Sequence, residues 1–462
     1  MEGNSGAWLA EDTLDERLRA EGGRGGDAPA RTSVTLHALP ADLIRRIASA
    51  VPDADLTCFR LACALFRDLS AEPRVKPRSA FVRAPSLLEW AWRQDGFRPA
   101  EPCALCALCA RHGTPAALAW LLARGEEMDE RTCMEAAARG SLELLRFARE
   151  QGCHWDETTC AAAAQGGHLP LLQWAHEHGC PWDVSASCNA AAGGYLDVLR
   201  WACERGCPCN VTVTMLAASG GHLELLQWAR AHGIPWNAST CMSAAHAGEL
   251  GVLQWAVANG CPWNASTCSA AAMGGHLDVL RWARAHGCPW SPLVCQHAAA
   301  EGHVHVLAWA HEHGCQWDER TCQAAALGGH LAPLAWARAR GCPWPEAHMC
   351  ALAATGGSIE VVNWVLERGC PWDEHAAAAA ASHGHEHVLR FAVERGHGWN
   401  AAKCLSNARA GKHAVLARWI EHVAAAAADG QRPVEGARQI SPAPDAVASW
   451  LDLRAARVGG SD

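Results

Sequence analysis

The sequence predicts an all-α protein, a solenoid of stacked helix-turn-helix repeats that follows a small N-terminal helical module. The first observation is a glycine that recurs every 27 residues, with a single step of 28 between Gly329 and Gly357. The second is that the residues between these glycines keep repeating one helical pattern, which is typical of a stacked repeat array. The anchor glycines are Gly113, Gly140, Gly167, Gly194, Gly221, Gly248, Gly275, Gly302, Gly329, Gly357, Gly384 and Gly411.

The first half of a unit is a short helix of small residues, as in the stretch TCSAAAMGG at 267–275. We predict this helix over 267–273, with Ser266 or Thr267 as the N-cap that accepts a bond from a free amide of the first turn. Gly274 and Gly275 can adopt a positive φ, which ends a helix and turns the chain back.

The second half of the unit predicts an amphipathic helix over 276–286. Its expected apolar face carries Leu277, Leu280, Trp282 and Ala283, and charged residues fall on the other side. Gly287 then closes the helix, and Cys-Pro-Trp leads in an extended path to the next unit.

The motif at 266–283, from Ser-Thr-Cys through Gly-Gly-His to Arg-Trp-Ala, resembles the ankyrin repeat. Ala271 and Ala272 stand at the family's alanine pair, and Gly275 with His276 stands at its Gly-His. The resemblance implies stacked helical hairpins that bind a partner on their concave face. These units are shorter than the family's usual ~33 residues, so we expect them to lack its β-hairpin fingers.

Composition and charge set expectations about partners and compartment. The formal net charge is −9 with mixed signs, so no basic field of the kind that nucleic-acid binders use is expected. No apolar run reaches transmembrane length, and the N-terminus does not read as a signal peptide. We therefore expect a monomer in the cytoplasm or nucleus, with no nucleic-acid partner and no membrane.

Most of the 24 cysteines fall at two recurring positions. One lies in the first helix, as Cys268 does, and the other follows the closing glycine, as Cys288 does. Because cysteine often behaves as a small buried hydrophobe, we interpret both columns as core thiols. The sequon asparagines Asn210, Asn237 and Asn264 are expected to cap first helices.

Residues 34–70 form a different module, with Pro40 at a helix start and an apolar stripe behind it. The opening Leu-Pro and the Leu-Ile pair that follows it resemble an F-box. This resemblance implies docking to the Skp-type adaptor of a cullin-RING ubiquitin ligase through Leu39, Pro40, Leu43, Ile44 and Ile47. The alternative is that these helices only cap the first repeat, as arrays require.

The predicted organisation has five parts. They are a disordered leader at 1–33, the F-box-like module at 34–70, a degenerate repeat or connector at 71–102, the ankyrin-like array at 103–422, and a partly disordered tail at 423–462.

No residue pattern in the chain predicts catalysis. No nucleophile–base pair, phosphate loop or carboxylate pair stands apart from the repeat, so we expect neither an enzyme nor a cofactor. Cys103, Cys106, Cys109 and His112 have zinc-like residue types, but a spacing of three along one helix does not close a tetrahedron, so no metal site is expected. The 23 tryptophans are interpreted as packing between repeats rather than as a ligand track.

We expect the binding function at repeat positions where the side chain differs from unit to unit while the other positions stay constant. Two residues before most anchor glycines, and at neighbouring first-helix positions, the side chains differ from unit to unit. By resemblance these positions face the concave surface, and they predict a protein-binding face; the alternative is drift on an unused face. The predicted partner-binding residues are Gln165, Ser219, His246, Met273, Gln296, Leu327, Thr355 and Arg409.

Two functions of different classes follow. One is a non-catalytic F-box/ankyrin-repeat substrate receptor of a ubiquitin ligase, which holds a client protein. The other is a stand-alone ankyrin-repeat scaffold without a ubiquitin link. A thiol or metal sensor is a third, weaker hypothesis.

Overall fold

The computed structural model describes residues 85–92 and 103–428. Every regular element in these two ranges is an α-helix, so the predicted all-α repeat fold is confirmed. The predicted leader, the F-box-like module with Leu39, Pro40, Leu43, Ile44 and Ile47, and most of the predicted tail lie outside the described residues, and the domain boundaries stay predictions. Within the described ranges no helix is both long and apolar enough to cross a membrane.

The chain divides into two compact units. The described part of the first unit comprises 85–92, 103–136 and 141–154. Its helices are Pro85–Trp92, Ala104–His112, Pro115–Leu122, the start of Glu130–Arg139, and Leu142–Glu150. Leu88 is fully buried, and the indole of Trp92 packs edge-on against that of Trp120 with 5.5 Å between ring centroids.

The second unit, described over 137–140 and 155–428, is a regular alternation of first and second helices. The first helices are Glu157–Gln165, Val184–Gly193, Val211–Ser219, Ala238–Ala247, Ala265–Met273, Leu293–Ala300, Glu319–Leu327, Met349–Gly356, Glu374–Ser382 and Ala401–Ala410. The second helices are Leu169–Glu177, Leu196–Glu204, Leu223–Ala231, Leu250–Ala258, Leu277–Ala285, Val304–Glu312, Leu331–Ala339, Ile359–Glu367, Glu386–Glu394 and Ala414–Ala428.

Asparagine or aspartate caps most first helices of this unit. In Ala265–Met273 the cap is Asn264, whose side chain accepts a bond from the amide of Ser266 at 3.0 Å. The prediction that Ser266 or Thr267 would be the cap is therefore wrong, because both residues lie inside the helix. The prediction from the sequons is confirmed, since Asn210 and Asn237 make the same bond.

The turn between the two helices needs glycine for two different reasons. Gly275 has a φ of +78°, the left-handed region that costs most residues energy. Gly274 keeps a helical φ, but a Cβ there would lie 2.1 Å from the carbonyl oxygen of His246 in the preceding repeat. The pair thus turns the chain and lets neighbouring repeats approach closely.

The core of each repeat lies between the paired helices. In the second helix Val279, Leu280 and Ala283 are fully buried. Their partners in the first helix are small, with Cys268 and Ala271 also fully buried. Small first-helix residues let the backbones of successive first helices pack together, and these are the closest contacts between repeats.

The predicted apolar face of the second helix was partly wrong. Leu277 and Trp282 are only half-buried, whereas Leu280, Ala283 and the neighbouring Val279 are fully buried. The extra residue of the 28-residue step falls in the loop between Trp344 and helix Met349–Gly356, which has 8 residues against 9 in the preceding first helix.

Candidate binding surface

One face of the first helices remains on the surface of the second unit. It consists of the residues six, five and two positions before each anchor glycine, from Ala161 to Ser382, and we call it the first-helix row. Most of its side chains are exposed or half-buried, whereas the residues eight, seven, four and three before the glycine are buried throughout. The row therefore repeats along the array with the period of the repeat.

The row carries no Asp, Glu, Lys or Arg in any of its nine repeats. Its members are small, amide, sulfur-containing, imidazole or aliphatic residues, and three of the chain's seven methionines lie in it. They are Ala161, Ala162, Gln165, Cys188, Asn189, Ala192, Met215, Leu216, Ser219, Met242, Ser243, His246, Ser269, Ala270, Met273, Gln296, His297, Ala300, Gln323, Ala324, Leu327, Ala351, Leu352, Thr355, Ala378, Ala379 and Ser382.

Two of the most exposed large apolar side chains lie on or beside the row. Leu327 belongs to it and is 43% exposed. Leu293, which is 46% exposed, opens helix Leu293–Ala300 at the row's edge. Charged residues flank the row only in some repeats, as at Glu319 and Arg320 before it along the helix. The first helices that carry Met215, Met242 and Met273 contain no Asp, Glu, Lys or Arg.

All eight residues predicted to bind a partner lie on first helices, and none of them is buried. Seven stand two positions before an anchor glycine, and Gln296 stands six before. Gln296 is already engaged, since its Nε2 donates to Asp318 Oδ1 at 3.1 Å. Arg409, beyond the end of the row, pairs with Glu421 at 2.6 Å. Their role in binding stays a prediction.

The backbone under the row is fixed by the histidine that follows an anchor glycine. Nε2 of His303 is 3.1 Å from the carbonyl oxygen of Met273, and Nε2 of His385 is 2.8 Å from that of Thr355. His168, His222 and His413 make the same bond to the preceding repeat. Four carbonyl groups of the row, those of Ala192, Met273, Thr355 and Ser382, are therefore held by the next repeat.

The tryptophans lie on the other side of the hairpins. A loop indole contacts the second-helix indole of the next repeat, with centroid separations of 5.5 Å for Trp263 and Trp282 and 5.6 Å for Trp182 and Trp201. This confirms that they pack between repeats. The rings are half-buried, and histidine often covers a face, as His286 does on Trp282 at 4.4 Å.

The cysteine columns form pairs of buried thiols. The Cys288 thiol donates to the carbonyl oxygen of Asn264 at 3.3 Å, one repeat earlier. A hydrogen bond to the Cys288 sulfur, together with burial, raises the pKa of the Cys268 thiol. Cys241, Cys295 and Cys322 are raised in pKa in the same way. These thiols stay protonated at neutral pH, as core residues should.

A search of the described residues for metal ligands finds no group of three or more His, Cys, Asp or Glu side chains that could hold an ion. Of the zinc-like run, Cys106 and Cys109 are buried in helix Ala104–His112, and Cys103 precedes that helix with a φ of +65°.

Sequence analysis missed a disulfide between Cys203 and Cys209. Neither residue belongs to a cysteine column. The available signal was that Cys209 occupies the position of the loop tryptophan, in Cys-Pro-Cys instead of Cys-Pro-Trp.

Two repeat proteins of known structure are similar to this chain at low sequence identity. No family model matches it, and no curated protein matches it by sequence. Among solved structures, the human ASB11 ankyrin repeat domain is similar at 18% identity and a TM-score of 0.30, covering 34% of this chain and 84% of that domain.

Pentatricopeptide repeat protein PPR10, solved in complex with an 18-nucleotide psaJ RNA element, is similar at 16% identity and a TM-score of 0.34. The match covers 83% of this chain and 67% of PPR10, and a triple cysteine-to-serine variant of PPR10 gives the same values.

The second of these structures corrects one expectation. We expected no nucleic-acid partner from the net charge, but PPR10 is solved in complex with an RNA element. The exclusion is therefore wrong. The helical hairpins and their 27-residue period show that this chain is an α-helical repeat protein.

Proposed function

We propose that this protein is a non-catalytic binding protein that holds a polypeptide on the first-helix row. The observation that carries the proposal is the absence of Asp, Glu, Lys and Arg along nine consecutive repeats of the row. Depletion of charge at the centre with a polar rim is the arrangement of protein–protein interfaces. Short side chains leave room for a partner's side chains between the methionines and leucines.

The chemistry of the row suits an apolar polypeptide segment. Met215, Met242 and Met273 occupy three successive repeats, and methionine adapts its shape to different apolar partners. The carbonyl group of Met273 is also held by Nε2 of His303 in the next repeat. A rigid frame reduces the ordering cost of binding, which leaves more of the contact energy for affinity.

A matched pair of variants tests this proposal. Met242→Glu/Met273→Glu places two carboxylates in the row, and Gln227→Glu/Gln254→Glu places two on exposed second-helix positions. Polypeptides bound to the full-length chain are quantified after crosslinking in its native cells. We expect the row variant to lose at least about tenfold of the bound polypeptide, because a buried unpaired charge costs more than ~1.4 kcal/mol, and the control to lose none.

Equal recovery by both variants would refute the proposal, provided that circular dichroism shows both to be folded. Recovery of RNA without any polypeptide, from the same crosslinked material digested with protease or with ribonuclease, would refute it as well.

The finer function is that of a substrate receptor. We infer from the F-box-like residues at 34–70 that the bound polypeptide is presented to a cullin-RING ubiquitin ligase in the cytoplasm or nucleus. Leu39→Ala/Pro40→Ala should abolish recovery of a Skp-type adaptor and leave the bound polypeptide unchanged. If the adaptor is recovered equally with both chains, or with neither, the alternative of a stand-alone scaffold replaces it.

A further inference from the structure

The loop that leaves each second helix is often held by a ring contact to that helix. In several repeats the residue six positions before the loop tryptophan is an arginine or a histidine that lies against its indole. The guanidinium of Arg284 is 4.2 Å from the ring centroid of Trp290, and that of Arg230 is 4.6 Å from that of Trp236. Histidine does the same at His311, whose ring stacks at 3.6 Å on Trp317.

In one repeat both partners of this contact are cysteines. Cys203, in helix Leu196–Glu204, stands at the position of Arg284, and Cys209 stands at that of Trp290. Their Cα atoms are 6.5 Å apart and their sulfurs are bonded. A covalent bond thus replaces the cation–π contact as the clasp between loop and helix.

The clasp differs from the other cysteines in accessibility. Cys203 and Cys209 are both half-exposed, whereas the thiols that follow the closing glycines are at most 4% exposed. Cys207 lies between them in sequence but is buried, and its thiol donates to the carbonyl oxygen of Asp183 at 3.3 Å. Burial raises the pKa of Cys207 to about 11, so it remains a thiol and does not attack the neighbouring bond.

We propose that Cys203–Cys209 is a reversible redox-modification site whose co-substrates are small thiols and small disulfides. In reduction, a thiolate attacks one sulfur, the Cys203–Cys209 bond breaks, and a mixed disulfide forms while the other cysteine leaves as a thiolate and takes up a proton. A second small thiolate attacks the mixed disulfide and frees the remaining cysteine. The sum is one protein disulfide and two small thiols giving two protein thiols and one small disulfide, and oxidation is the reverse.

After reduction, neither a disulfide nor a ring contact joins this loop to its helix, because no tryptophan occupies the loop. Two residues of this loop make hydrogen bonds to the neighbouring helices. The carbonyl oxygen of Pro208 accepts a bond from the Ser187 hydroxyl at 2.6 Å. Asn210 caps helix Val211–Ser219 through the amide of Thr212 at 2.9 Å. Reduction therefore loosens the start of that helix.

The test compares the oxidised and reduced full-length chain by amide hydrogen exchange, with thiol alkylation and mass spectrometry to assign each cysteine. Glutathione buffers set the redox state. We expect exchange at 205–212 to become at least about tenfold faster on reduction and to recover on reoxidation, because a local opening loses its covalent restraint.

The matched control is Cys203→Arg/Cys209→Trp, which restores the ring contact of the other repeats. Its exchange at 205–212 should stay slow in both buffers. Two results would overturn the proposal: Cys203 and Cys209 alkylated in the oxidising buffer, or wild-type exchange at 205–212 unchanged between buffers. Both readings are made on the wild-type chain, so they stand even if the control variant fails to fold.

Discussion

The imidazole of His303 lies directly against Gly275 of the preceding repeat. A Cβ on that glycine would be 2.7 Å from Cε1 of His303, and the same ring reaches the carbonyl oxygen of Met273 at 3.1 Å. The anchor glycine therefore forms the turn and also contacts the histidine ring of the next repeat. Its recurrence reflects contacts between repeats as well as the turn within one.

Alanine at the two positive-φ glycines of one repeat should separate these two roles. Gly287 has a φ of +82° and nothing within 4 Å of a Cβ, so Gly287→Ala should cost only the conformational penalty of about 1 kcal/mol. Gly275→Ala should cost at least about 1 kcal/mol more, because His303 must move and lose its bond. Urea unfolding of the full chain measures both, and equal losses would contradict the contact.

Acidification should weaken the junctions made by His303 and His385. Burial lowers the pKa of both imidazoles below the ordinary value of 6.5. Between pH 6.5 and the lower pKa of the folded state, the unfolded chain binds more protons than the folded chain. The stability that these two histidines contribute is therefore present above pH 6.5 and is lost as the pH falls through their folded pKa values. The melting temperature of His303→Gln/His385→Gln should fall less than that of wild type between about pH 7.5 and 5.5. Parallel curves of melting temperature against pH for wild type and variant would show that these two histidines do not cause the loss of stability.

The Asn264 cap should tolerate aspartate but not alanine. Asp318 holds the same position before helix Glu319–Leu327 and accepts a bond from the amide of Arg320 at 3.1 Å. Asn264→Ala should destabilise the chain by about 1 kcal/mol, and Asn264→Asp should be close to neutral. Hydrogen exchange at 265–269 locates the effect, and a loss of equal size for aspartate would argue against capping as its cause.

Serine should be accepted at Cys268 despite its full burial. Two repeats already carry a hydroxyl there: Ser187 donates to the carbonyl oxygen of Pro208, and Thr214 to that of Pro235 at 3.0 Å. In Cys268→Ser the equivalent acceptor is Pro289. We expect this variant to be no less stable than Cys268→Ala in thermal unfolding. A hydroxyl left without a partner would instead make serine worse by about 1–3 kcal/mol.

Much of the fold could be predicted because it depends on backbone conformation and spacing. A glycine every 27 residues identifies the turn, and small residues before it identify a helix that packs closely. The asparagine caps followed from the same register. Trp282 was misplaced because a residue two positions past Leu280 points away from it on a helix, which leaves the indole at the flank.

What the sequence did not reveal depends on contacts without a helical period. Cys203 and Cys209 are six residues apart across a helix end, and only the coordinates show that this spacing joins loop to helix. The uncharged row also required coordinates, because burial separates its members from the alanines and cysteines of the core. The exclusion of a nucleic-acid partner rested on the net charge, which averages over surfaces that differ in charge.

Among the described residues, side-chain hydrogen bonds join each repeat to its neighbour. The Cys288 thiol reaches back 24 residues and the His303 ring reaches back 30, and these spans lie symmetrically about the 27-residue period. If one whole unit were lost or duplicated, each hydrogen-bond donor at the new junction between repeats would still find an equivalent acceptor. Recombination within the gene can thus lengthen or shorten this protein without inventing a new interface.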